Sequence, residues 1–156
     1  MLGAMSQYAV KIMVESTFAE QVAERGLAEQ ANKVLAAERV AHGSELSIFV
    51  TGDETIRDLN RRFRHVDEPT DVLSFELNNG PAFATPPDSA DQAGEVVISF
   101  PTALQQAQEA GHDVELEMLH LLTHGVLHIL GYDHETPDDA RKMHAKEELL
   151  LDGWRH

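Results

Sequence analysis

The chain has 156 residues, a formal net charge of −15 and no cysteine. Its length suits one domain with a substantial core and is short for two. The lack of cysteine excludes disulfides and thiolate metal ligands, and it fits a reducing cytoplasm. No apolar stretch approaches the roughly 18 residues that a membrane span needs, and the N terminus lacks a signal-peptide pattern. Residues 1–5 are expected to be a disordered extension.

Strands and helices follow one another along the chain, as judged from the spacing of apolar residues. The predicted strands cover residues 7–15, 45–51, 72–77 and 95–100. The predicted helices cover residues 18–42, 53–63, 101–110, 113–130 and 137–151. A segment rich in Pro, Gly, Asn and Asp at 78–93 predicts a loop. This order predicts one α+β domain over residues 1–156, with a mixed four-stranded sheet and about five helices.

Three histidines lie in the segment HGVLHILGYDH, at His124, His128 and His134. The first two are four residues apart, so on a helix they lie on the same face. Gly131 can adopt the left-handed conformation that ends a helix, which lets the chain turn and bring the third histidine back. Three protein ligands leave a fourth position open, as in a catalytic zinc centre. We therefore predict one Zn²⁺ at the end of the central helix, with His124 also among the catalytic residues.

Other residues around these histidines are candidates for supporting roles. Metal-bound imidazoles usually donate their second ring N–H to a carboxylate or carbonyl, and Glu117, Asp133 and Glu95 are the predicted acceptors. The alternative for each is an ordinary surface carboxylate, and for Asp133 a turn-stabilising residue. His120 lies about 12 Å from His128 along a helix, too far for both to bind one ion, so we assign it to packing or to a supporting hydrogen bond.

The residue after the first histidine decides between two kinds of hydrolase. The spacing HxxxHxxGxxH is also that of the metzincin proteases, which need a Glu directly after the first histidine as general base. Here that position is Gly125, which has no side chain to accept a proton. A peptidase would have to take its base from another part of the chain.

Arg57, Arg61 and Arg64 recur at helical spacing and share one helix face. Because the guanidinium fork matches phosphate oxygens, they predict a phosphate-binding surface. The alternative is a solvated face on which the arginines pair with nearby acids. The strong negative charge of the chain argues against extensive contact with nucleic acid, so the position of these arginines matters more than the total.

Three segments resemble those of a known family. The chain has LNRRFRHVDEPTDVLSFEL at 59–77, GEVVIS at 94–99 and HGVLHILGYDH at 124–134. These resemble, in the same order, the LNxxYRxxxxPTDVLSF, GDIxIS and HGxLHLxGYDH segments of the YbeY endoribonucleases, also called rRNA maturation factors. The resemblance spans about half of the chain.

The resemblance implies a single-strand-specific, metal-dependent endoribonuclease in 16S rRNA 3′-end maturation and late 30S ribosome quality control. Its implied partners are single-stranded rRNA and the small ribosomal subunit, in the cytoplasm. It implies zinc bound by the three histidines, and a functional arginine at Arg64, where Phe63 replaces the family's Tyr. Two alternatives stay open, namely a metal-stabilised ribosome-assembly factor with little catalysis and a zinc peptidase.

Overall fold

The computed structural model of the chain describes residues 8–76 and 92–154. Within these ranges a four-stranded sheet is covered by helices, which confirms the predicted α+β class. The expected disorder of residues 1–5, and all but the last two residues of the loop predicted at 78–93, lie outside the described residues. No helix in the described part of the chain has both the length and the apolar character to cross a membrane.

The sheet is mixed, as the sequence predicts. The strands are β1 (Ala9–Val14), β2 (Glu45–Thr51), β3 (Val72–Phe75) and β4 (Gln92–Ser99). Their order in the sheet is β1-β2-β4-β3, in which β1, β2 and β4 run parallel and β3 runs antiparallel to β4. The α-helices are α1 (Glu24–Ala37), α2 (Asp53–Arg64), α3 (Phe100–Ala110), α4 (Val114–Ile129) and α5 (Pro137–Leu150).

The helix predicted over residues 18–42 is wrong at both ends. Its first part is a 3₁₀ helix, Ser16–Gln21, and buried Val22 separates this from α1 with an extended backbone. At the other end Arg39 adopts a left-handed conformation with φ of 57°. The N–H of Arg39 then donates to the carbonyl of Ala36, and that of Val40 to the carbonyl of Leu35, which closes the helix. The Ala/Glu pattern continues past both points, so periodicity alone did not locate them.

The two faces of the sheet pack against different helices because side chains alternate along each strand. Ile48, Val50 and Val96 belong to the main core together with residues of α1, α3 and α4. Val97 instead packs with Ile56 of α2 in a smaller cluster on the other face. Helix α5 lies against α4. Helix α4 is therefore held between the sheet and α5.

Candidate metal centre

The C-terminal end of α4 turns the chain back on itself. Gly131 has φ of 107°, and its N–H donates to the carbonyl of His128 at 3.1 Å. The N–H of Tyr132 reaches back to the carbonyl of Leu127 at 3.0 Å, so the last turn of the helix is closed. This reversal returns His134 toward the helix that it has just left.

The three predicted ligands come together at this turn. The ring centroids lie 5.7 Å apart for His124 and His134, and 6.3 Å apart for each pair that includes His128. Three imidazoles around one tetrahedral zinc, with Zn–N distances of about 2.0–2.1 Å, have centroids roughly 5 Å apart. A contraction of about 1 Å would bring the rings to that spacing, so this all-nitrogen donor set fits a zinc ion.

The electrostatics of the cluster favour the neutral imidazole that a metal ion requires. Burial lowers the pKa of His128, and the charges of His124, His134 and Arg64 lower it further, against an opposing effect of Asp133. A depressed pKa keeps this ring unprotonated at pH values where an ordinary histidine becomes charged. His128 is thus held in its ligand form by its neighbours.

A buried carboxylate that the sequence analysis missed contacts the first of the predicted ligands, His124. Glu147 of α5 is fully buried, and its Oε2 lies 2.7 Å from Nδ1 of His124. Its Oε1 lies 2.8 Å from Nε2 of His120. Burial opposes the charge of Glu147, but the hydrogen bonds from the two histidines outweigh burial and lower its pKa well below the ordinary value. An ionised Glu147 therefore accepts from both rings.

The sequence did contain a signal for this residue. Met143, Glu147 and Leu150 follow one another at spacings of four and three residues, and all three are buried. A carboxylate at a core position of an amphipathic helix needs a buried partner, because an unpaired buried charge is costly. The partner is a histidine on another helix, which periodicity within α5 does not reveal.

A second set of donors shares His124. One donor atom from each of His120, His124 and Glu147 lies within 4.8 Å of the others, so this group could also hold an ion. The N–O separations of 2.7 and 2.8 Å are those of hydrogen bonds, whereas two ligands of one tetrahedral zinc lie about 3.3 Å apart. Since Glu147 engages Nδ1 of His124, Nε2 is the ring nitrogen that remains to bind an ion together with His128 and His134. We therefore favour a supporting role for Glu147.

His120 and Glu117 make further contacts next to this group. His120 stacks on Trp154 with a centroid distance of 3.7 Å, in addition to its bond to Glu147. Glu117 lies 2.7 Å from Nε2 of His112 and 4.0 Å from Nδ1 of His120. The structure thus gives His120 both the packing and the supporting hydrogen bond assigned to it. It places Glu117 against His112 rather than against a predicted metal ligand.

The other two predicted acceptors have different contacts. Asp133 accepts a hydrogen bond from the backbone N–H of Glu135 at 3.2 Å, which is the turn-stabilising alternative. Glu95 is adjacent to Val96, whose side chain packs toward α4, so Glu95 points to the opposite face of the sheet. There it lines a cavity with Ser47 and other residues of β1 and β2. Sequence spacing placed both residues near the centre, but strand alternation directs Glu95 away from it.

Of the three predicted phosphate-binding arginines, Arg64 is the one that contacts strand β3. Its guanidinium donates to the carbonyl of Ser74 and lies 5.1 Å from the ring centroid of Phe75. Its positive charge contributes to the lowered pKa of His128, so the two side chains are electrostatically coupled. An exposed guanidinium of this kind is suited to bind a phosphate.

Arg57 and Arg61 are engaged by acids. Arg57 Nε lies 2.9 Å from Asp67 Oδ1, and a second contact to Asp67 measures 3.3 Å. Arg61 lies 2.5 Å from Asp58. The structure therefore shows for both the alternative arrangement, an exposed helix face whose charges are paired.

Gly125 lies where α4 packs closely against the sheet. A Cβ atom at this position would lie 2.9 Å from Cγ1 of Val96 and 3.4 Å from Cγ2 of Val72. The position that carries the base in a metzincin thus faces the sheet, and a glutamate here would collide with β4. Gly125 has no side chain to act as the protease base, and the packing against β4 leaves no space for one.

Known proteins share both the sequence and the fold of this chain. The family model described as Endoribonuclease YbeY matches residues 11–155. A protein of Dehalococcoides mccartyi (strain CBDB1) named Endoribonuclease YbeY is 46% identical over 150 residues, which cover 91% of this chain and 90% of the relative. One of the same name from Moorella thermoacetica is 46% identical over 131 residues, covering 78% and 83%. The solution structure of TM1509 from Thermotoga maritima superimposes with a TM-score of 0.61 at 26% identity, covering 92% of this chain and 87% of that one.

Proposed function

Because this chain belongs to the endoribonuclease YbeY family, we propose that it is a hydrolase that cleaves RNA in rRNA processing. The proposed substrate is single-stranded rRNA at the 3′ end of 16S rRNA, and the proposed partner is the small ribosomal subunit at a late stage of 30S quality control. A ribosomal substrate would place the protein in the cytoplasm. The observation that carries the proposal is the cluster of His124, His128 and His134, whose ring centroids lie 5.7–6.3 Å apart.

We propose that zinc binds to His124, His128 and His134. When bound, such an ion polarises a phosphoryl oxygen and makes water more acidic. The chain contributes the orientation of the ligands, since Glu147 fixes Nδ1 of His124 at 2.7 Å. It also keeps His128 neutral through the lowered pKa described above.

Arg64 is the proposed phosphate-binding and catalytic residue. Its contact with the carbonyl of Ser74 and its position over Phe75 restrict the guanidinium while leaving the side chain exposed. A planar guanidinium can hold two phosphate oxygens, and it stabilises the negative charge that grows during phosphodiester cleavage. Arg57 and Arg61, paired with acids, are assigned a smaller part in substrate binding.

Two other functions make different predictions. A zinc peptidase would need a base from another part of the chain, because the packing of Gly125 against β4 leaves no room for one at that position. A ribosome-assembly factor without catalysis would bind RNA through the same surface but would leave it intact. RNA cleavage by the purified protein therefore separates the proposed function from both.

The decisive experiment is a single-turnover cleavage assay on single-stranded RNA from the 3′ end of 16S rRNA. We expect cleavage by the wild type, loss in His124→Ala, His128→Ala and His134→Ala, and retention in His42→Ala, which removes an exposed histidine outside the cluster. Duplex RNA should be cut less, because its bases cannot be splayed out. Casein should stay intact. RNA cleavage that survives loss of all three histidines, or casein cleavage that depends on them, contradicts the proposal.

A further inference from the structure

An exposed aromatic ring lies beside the arginine that we assign to phosphate. Phe63, in the last turn of α2, leaves 57% of its surface exposed. An isolated exposed apolar side chain is common and needs no explanation. Phe63 differs because charged and aromatic neighbours surround it and because it is adjacent in sequence to Arg64.

Those neighbours join Phe63 to Arg64 in one connected group. The Phe63 ring meets Phe75 edge to face, with centroids 5.5 Å apart. Phe75 in turn lies 5.1 Å from the guanidinium carbon of Arg64. The two distances together place the Arg64 guanidinium within about 11 Å of the Phe63 ring centroid. One or two nucleotides of a flexible strand can span that separation.

A second arginine adds positive charge at the same ring. The guanidinium carbon of Arg62 lies 5.7 Å from the Phe63 centroid, and its contact with Asp58 is long, at 3.4 Å. Proteins that bind single strands combine basic groups for the backbone with aromatic faces on which bases stack. A cation next to an exposed ring is this combination, whereas a protein-docking surface is more often a wider apolar patch with the charges at its rim.

We propose that Phe63 is a substrate-binding residue on which an unpaired base of the RNA stacks, next to the phosphate held by Arg64. This inference rests on the proposed nuclease function and explains how the site would select single strands. A base within a duplex has both faces covered by its neighbours, so it cannot reach the ring without being unstacked. Phe63 would thereby favour single-stranded RNA over duplex RNA. Arg64 would not distinguish the two, because both carry phosphates.

The test compares variants of Phe63 on a single-stranded RNA substrate. Phe63→Ala should raise the dissociation constant by about 5- to 150-fold, the range found for loss of one base–aromatic stack. Phe63→Tyr should restore binding, because it keeps a ring, and Phe63→Leu should not, because it keeps only apolar volume. Leu149→Ala, which truncates a side chain that is 72% exposed on α5, is the matched control and should bind like the wild type.

An abasic substrate separates stacking from a structural effect. We expect that removing the base at one position, while keeping its phosphate, weakens binding to the wild type by the same factor as Phe63→Ala. In Phe63→Ala, the same abasic change should cause no further loss of binding affinity. Full binding by Phe63→Ala or Phe63→Leu would overturn the stacking. So would losses of affinity from Phe63→Ala and from the abasic change that simply add at every abasic position. In both cases, cleavage by the wild type would still support the nuclease function. Absence of cleavage by the wild type would overturn both.

Discussion

Replacing Glu147 by glutamine tests whether this residue orients the metal centre. Glutamine has nearly the same shape, but one of its two terminal atoms is an NH₂ group that donates instead of accepting. If that group faces His124, the proton of the ring must move to Nε2, the atom proposed to bind zinc. If it faces His120, then His124 keeps an acceptor without charge, and the bond is weaker. Either arrangement should reduce metal affinity.

The expected size of the effect follows from the contacts. Loss of a carboxylate behind a metal-bound histidine costs about 10- to 100-fold in affinity, or roughly 1.4–2.7 kcal/mol. Glu147→Ala would in addition remove two charge-assisted hydrogen bonds, at about 1.5–3 kcal/mol each, from a fold with about 5–15 kcal/mol in total. Alanine therefore threatens folding itself, and glutamine is the informative change.

The assay is a competition titration of the metal-free protein with zinc and a chelating dye, with cobalt absorption as a second measure of ligand geometry. Glu109→Gln, an exposed carboxylate at the end of α3, is the control and should bind like the wild type. Unchanged affinity and cobalt spectrum in Glu147→Gln would refute the reasoning. Loss of metal in His120→Ala together with full binding in His128→Ala would place the ion in the alternative donor set.

Three further outcomes follow from the same structure. Arg64→Ala should lower kcat/KM for RNA cleavage by about 100-fold or more and leave the metal content unchanged. Arg64→Lys should restore part of that activity, and Arg61→Ala should lower kcat/KM much less. In metal-free protein, NMR titration of His128 should give a midpoint below 6.5, because a lowered pKa keeps the ring neutral at more acidic pH, and Arg64→Ala should move it upward. Gly125→Ala should lower the free energy of unfolding by about 1–3 kcal/mol, as measured in urea, because the added Cβ meets β4. Gly26→Ala within α1 should not lower it. Equal stability of the two variants would contradict the close packing at Gly125.

The sequence predicted best those parts of the site that depend on local geometry. The pairing of His124 with His128 needs only the helical repeat, and the return of His134 needs only a glycine that can end the helix. These features lie within eleven residues, so no knowledge of tertiary packing was required. The mixed α+β sheet was predicted for a related reason, since each strand carries its own apolar pattern.

Features that depend on packing between distant segments were not predicted. Glu147 lies 23 residues from His124, and their contact depends on how α5 lies against α4. Sequence spacing predicts Glu95 as an acceptor at the metal centre, but the direction of its side chain depends on strand alternation, and Val96 next to it faces α4. The breaks on either side of α1 depend on the burial of Val22 and on the backbone at Arg39, neither of which changes the residue pattern.

The position of Glu147 in the chain has a consequence for protein synthesis. A ribosome delivers N-terminal segments first, so Arg64 and the three histidines leave it before α5 does. At about 5–20 residues per second, Glu147 follows His134 by roughly one to three seconds. Until α5 docks on α4, His124 lacks the acceptor that fixes its Nδ1, and His120 lacks the same carboxylate. Helix α5 therefore completes a centre whose proposed ligands have already been made.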